Sequence, residues 1–142
     1  MRQKSRIIID TNLWISFLLS KKFNFIDKLL DSGKVELVFC QELLTELIDV
    51  SSRPKLRKFF TREDWTAVFE IIDRYAVYIS VVSSVTLCRD EKDNFLLSLA
   101  KDAKANYLLT GDKDLLVLKT FDITQIVTIA EFQTTISTNG EK

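Results

Sequence analysis

Two hydrophobic periods take turns along the chain. "RIIID" (6–10) is a continuous β-branched run and reads as a strand covered on both faces. "NLWISFLL" (12–19) has the apolar spacing of a helix, and "NFIDKLLDSGK" (24–34) places Phe25, Ile26, Leu29 and Leu30 at helical spacing before stopping at Gly33. "VELVFC" (35–40) is a short strand. "QELLTELIDVSS" (41–52) is helical with Leu43, Leu44, Leu47 and Ile48 on one face, and Pro54 falls at or just past its end. "TREDWTAVFEIIDRYA" (61–76) opens with Thr61 and Asp64 at capping spacing and continues through Trp65, Val68, Phe69 and Ile72. "VYISVVSSVTL" (77–87) is β-branched and reads as extended. "KDNFLLSLAKDAKA" (92–105) is a helix with Phe95, Leu96, Leu99 and Ala103 inward. Then come a strand in "NYLLT" (106–110), a turn into a short helix in "GDKDLLVL" (111–118), a last strand in "ITQIVTI" (123–129) and a closing helical turn or two in "AEFQTTI" (130–136).

Strands alternating with helices predict an α/β protein whose mainly parallel sheet carries helices on both faces. Three glycines and one proline in 142 residues favour helices and short connections over a many-turned β fold. No repeat or boundary interrupts the pattern, so residues 1–142 are expected to form a single domain.

Composition narrows the function. Lys plus Arg and Asp plus Glu are 20 each, which excludes a protein that holds nucleic acid by bulk positive charge but leaves room for a local basic strip. There is no histidine, so a metal site must use oxygen or thiolate ligands. Cys40 and Cys88 form no CxxC pair and read as reduced, core-type thiols. A hard cation, Mg2+ or Mn2+, is therefore expected over zinc. "MRQKSRIIID" lacks the apolar run of a signal peptide, and no stretch approaches a membrane span. The expected location is cytoplasmic, with no membrane partner.

Ligands of such sheets bind outside the carboxyl ends of the strands. Asp10 directly follows "RIII"; Asp112 and Asp114 follow "NYLLT"; Asp90 and Asp93 follow "VTLC"; Glu46 lies in the helix after "VELVFC". Carboxylates converging on one edge repel one another unless a cation neutralises them. Singly, Asp93 reads more readily as a helix cap, Asp112 and Asp114 as turn formers, and Glu46 as a solvated helix residue than as catalytic groups. Asp10 resists such a reading, because no cation lies near it in sequence. The joint placement of the acids points to chemistry.

"IIIDTNLWIS", "ELLTEL", "DEKDNFLLSLA" and "YLLTGDKDLL", in that order, resemble the PIN domain. "SRPKLRKFF" and "IVTIAEF" resemble its VapC-like branch, the toxin components of prokaryotic toxin–antitoxin pairs. The resemblance spans almost the whole chain. It implies a three-layer α/β/α sandwich and a Mg2+- or Mn2+-dependent ribonuclease. It further implies that Asp10, Glu46, Asp93 and Asp112 are catalytic, that Asp10, Asp93 and Asp112 hold metal with Asp114 as an accessory acid, that Asn12 orients the first acid, and that Thr110 supplies a hydroxyl near the metal-bound water. The implied partners are RNA, a cognate antitoxin and a second copy in a homodimer; a non-catalytic metal- or RNA-binding module on the same fold is the alternative.

Cleavage by such a site should leave a 5′-phosphate and a 3′-hydroxyl, since no imidazole is available for the route through the 2′-hydroxyl. "RPKLRKFFTR" (53–62) is the densest basic segment; Arg53, Lys55, Arg57 and Lys58 are candidates for RNA contact, weighed evenly against a solvated helix face. Asn12 stands where an aspartyl-phosphate hydrolase of the haloacid dehalogenase type needs a second Asp, and the early acidic pair of a receiver domain is absent.

Overall fold

A computed structural model describes the backbone of residues 4–20 and 24–140 and the side chains of residues 4–20 and 26–136. The expected inward position of Phe25 lies outside the described side chains. The elements are β1 (Ser5–Ile9), α1 (Thr11–Ser20), α2 (Asn24–Asp31), β2 (Val35–Phe39), α3 (Gln41–Ser51), α4 (Pro54–Arg57), α5 (Arg62–Tyr75), β3 (Ala76–Tyr78), α6 (Glu91–Ala103), β4 (Tyr107–Leu109), α7 (Lys113–Leu116), β5 (Thr120–Phe121), β6 (Thr124–Val127) and α8 (Ile129–Gly140). The sheet order is β3-β2-β1-β4-β6-β5, parallel except for the antiparallel β5–β6 edge. It forms the centre of an α/β/α sandwich. Ile7, Ile8, Ile9, Leu37, Val38, Phe39, Leu108 and Leu109 are wholly buried, which is why the central strands read as unbroken apolar runs.

Chain order locates the site. From β1 the crossovers step outward through β2 to β3; from β3 the chain returns across the sheet to β4 and continues to β6. Parallel crossovers are right-handed, so reversing their direction changes the face the helices cover. The reversal falls between β1 and β4, whose carboxyl ends therefore open a crevice at a topological switch point.

Local chemistry explains the helix starts. Thr61 and Asp64 form a reciprocal capping box on α5, with Asp64 N to Thr61 Oγ1 at 3.1 Å and Thr61 N to Asp64 Oδ2 at 2.8 Å. A second reciprocal pair, Thr128 with Glu131, starts α8, which runs longer than one or two turns and packs Phe132 against the Tyr107 ring, with centroids 5.2 Å apart. Pro54 opens α4 rather than merely terminating α3. Three expectations shift. Ile48 and Phe69 are exposed by 42% and 40%, while Ile71 takes the inward place. Of the β-branched segment 77–87, only Val77 and Tyr78 join the sheet, in β3; the remainder leaves the ladder. The two-residue β5 has no apolar alternation to announce it, and turns into β6 through Asp122 at φ 55°.

Candidate active site

Asp10 is the residue at which β1 becomes α1. Its N–H donates to Leu109 O (3.0 Å), which ties the end of β1 to β4, and its carbonyl accepts from Leu13 N (3.0 Å) and Trp14 N (3.2 Å). The carboxylate is 8% exposed. Thr110 Oγ1 donates to Asp10 Oδ2 at 2.7 Å, and the backbone N–H groups of Asn12 and Thr11 also bond to the carboxylate. Burial pushes the Asp10 carboxyl up, these donors pull against it, and the Asp112 charge adds to the rise. Asn12 thus reaches Asp10 through its main chain, while the residue itself is exposed.

The end of β4 supplies the facing wall. Thr110 Oγ1, already donating to Asp10, accepts from Asp112 N at 3.0 Å. Asp112 Oδ1 accepts from Asp114 N at 2.9 Å, capping the one-turn α7. The turn-forming role weighed for Asp112 is therefore real, but it uses only one carboxylate oxygen.

α6 brings the third wall. Asp90, not Asp93, is its N-cap: Asp90 Oδ1 accepts from Lys92 N at 2.9 Å. Asp93 sits inside the first turn with no capping duty, 4% exposed, and its Oδ2 is buried without a hydrogen-bond partner. Burial chiefly drives its carboxyl up to about 7, followed by the close Asp112 carboxylate and the charges of Asp90 and Asp10. A buried carboxylate oxygen without a donor is costly as it stands. Ligand atoms of Asp93, Asp112 and Asp114 lie within 4.8 Å of one another. That donor set fits a hard divalent cation, which would satisfy the orphaned oxygen and cancel the repulsion.

These walls enclose a cavity of about 140 Å³ lined by the five carboxylates of Asp10, Glu46, Asp90, Asp93 and Asp112, with Asn12, Arg53 and Lys92. Glu46 enters from α3. Burial raises its carboxyl and the Asp10 charge adds to this, while Lys92, with Nζ 4.0 Å from Oε1, offsets it. Asp114 stays at the rim, where Arg89 Nη2 approaches its Oδ2 at 3.6 Å. Arg53 lines the cavity and reaches Asp49 at 3.4 Å; Lys55, Arg57 and Lys58 are exposed beyond it and do not line the cavity. Lys92 escaped the reading of the sequence, although "DEKDN" places it beside Asp93. Larger clefts lie at the amino ends of the strands beside Arg6 and Glu36 (about 590 Å³) and between α5 and β3 beside Phe69 and Tyr78 (about 760 Å³). Neither contains a converging set of carboxylates, so size does not mark the chemistry here.

A family model described as a PIN domain matches residues 6–114, which include every acid of the cavity and Asp114. The uncharacterized protein MJ1680 of Methanocaldococcus jannaschii is 32% identical over 122 residues, covering 82% of this chain and 76% of that protein.

Proposed function

The chain belongs to the PIN-domain family, a nuclease-type family, and from that premise we propose that it is a Mg2+- or Mn2+-dependent endoribonuclease. The observation that carries the reading is the buried, partnerless Oδ2 of Asp93, set against the carboxylates of Asp112 and Asp114. Asp10, Asp93 and Asp112, with Asp114, would hold the ion, which when bound supplies Lewis acidity and an acidified water for attack on a phosphodiester. Thr110 and the start of α1 orient Asp10, since three donors converge on its carboxylate. Glu46, with its carboxyl raised and Lys92 alongside, would take a proton within the cavity. Arg53 at the cavity and Lys55, Arg57 and Lys58 beyond it offer cations to RNA phosphates approaching an otherwise acidic site.

The direct test is RNA cleavage with Mg2+ or Mn2+, with EDTA, and by Asp10→Asn. Cleavage requiring both the ion and Asp10 is expected; equal cleavage in all three overturns the reading. The branch that the chain resembles supports a toxin role with an antitoxin partner, and the exposed Phe69 and Tyr78 beside the α5–β3 cleft offer an apolar face for such a partner or a second copy. Growth arrest on expression, relieved by co-expressing the adjacent upstream reading frame, is the expected result. Cytoplasmic RNA is the proposed substrate pool; among the described residues no helix is long and apolar enough to cross a membrane.

A further inference from the structure

The segment from Ile79 to Arg89 has β-branched sequence but leaves the sheet after Ile79 N donates to Phe39 O at 2.9 Å. Outside the ladder its N–H groups no longer have a strand's carbonyls as acceptors. Side chains of α6 provide acceptors instead. Asp102 Oδ2 accepts from Val82 N (2.6 Å) and Ser83 N (2.8 Å), and Asp102 Oδ1 accepts from the Ser83 hydroxyl. Ser98 Oγ accepts from Val85 N at 2.9 Å while donating to Asn94 O at 2.9 Å, so its lone pairs are left for the segment. Asn94 Oδ1 accepts from Cys88 N at 2.6 Å and Asn94 Nδ2 donates to Cys88 O at 2.9 Å. Residues 94, 98 and 102 are spaced four apart and share one side of α6. The helix side chains thus replace a neighbouring strand, and the segment runs antiparallel to α6 as a strap.

The strap ends at the site. Its last residue, Arg89, pairs with Asp114, and the next, Asp90, caps α6 one turn before Asp93. We propose that Asn94, Ser98 and Asp102 are positioning residues of the acidic centre: they pin the strap, the strap fixes the Asp90 cap, and the cap holds the first turn that carries Asp93. This inference rests on reading the acidic cluster as a metal site. Without the strap the first turn of α6 frays, because helix ends unprotected by caps and contacts open most easily.

The test uses the full chain with Ser98→Ala, which changes no charge, Asp102→Asn, and the double variant. Three quantities are read: hydrogen exchange of the Val82, Ser83, Val85 and Cys88 amides, the rate at which Cys88 reacts with a thiol reagent, and Mn2+ affinity. Cys40 is 1% exposed and serves as the silent thiol. The double variant should exchange and label faster and bind Mn2+ about 10–100-fold more weakly, the scale at which partners behind metal ligands act. A looser strap with unchanged Mn2+ affinity overturns the inference alone, as does unchanged exchange and labelling. Wild-type protein that binds no Mn2+ overturns the metal-site reading and the inference with it.

Discussion

At the scale of single residues, the site crowds carboxylates against one another, and two of them, Asp10 and Asp93, are also kept from water. Asp93 makes this measurable. Its carboxyl rises from an ordinary 3.8 to about 7. Between those values the folded chain keeps a proton that the unfolded chain has released, so metal-free stability falls as pH climbs from about 4 to 7 and is flat above. Asp93→Asn removes the penalty. At pH 8 it should stabilise the metal-free protein in urea unfolding, and the gain should vanish near pH 4. The same proton competes with a cation, so Mn2+ affinity should weaken as pH falls below about 7. Wild-type and Asp93→Asn unfolding curves that keep the same separation from pH 4 to 8 would contradict this assignment. Asp10 shows how a similar charge is made tolerable: Thr110 and the first amides of α1 are aimed at it, as an anion at a helix start allows.

At the scale of elements, α6 performs four tasks with four sets of positions. Asp90 caps it, Asp93 enters the cavity, and Asn94, Ser98 and Asp102 face the strap, while Leu97, Leu99, Ala100 and Ala103 are wholly buried. Helical spacing found Leu96, Leu99 and Ala103 but missed Leu97 and Ala100 and set the half-buried Phe95 inward, and spacing alone did not separate Asp90 from Asp93. Either could cap; the backbone at Asp90 decides, being extended with φ −87° and ψ 125°. Thr61→Ala breaks the α5 capping box and should cost about 1 kcal/mol, read as a lower urea midpoint with the same slope. α4 belongs to function if the proposal holds. Replacing Lys55, Arg57 and Lys58 with Gln should weaken RNA binding and lower the slope of log affinity against log salt by about 2, given roughly 0.7 per contact on single strands. An unchanged slope would return these lysines and arginine to the solvated surface.

At the scale of the whole molecule, the proposed metal binding would be linked to folding, because the walls of the cavity come from the ends of β1 and β4 and from α1, α3 and α6 and meet only in the folded chain. Mn2+ at 100 times its dissociation constant should add about 2.7 kcal/mol to stability, seen as a raised melting temperature that EDTA reverses. Asp10→Asn should blunt that rise. The alternation of periods was enough to announce a parallel α/β sheet, and position after a strand was enough to nominate Asp10 and Asp112, whereas Asp93, carried on α6 rather than at a strand end, was singled out from Asp90 only by the family resemblance. Those are local properties: a run of isoleucines must be covered on both sides, and a residue just past a strand lies at the sheet's edge wherever the strand sits. The strand order was not local. Only the return from β3 to β4 set β1 beside β4, made their ends a switch point, and put Thr110 within reach of Asp10 across 100 residues of chain. The same holds for the strap, whose sequence favours a strand while the folded molecule offers it the polar side of a helix instead.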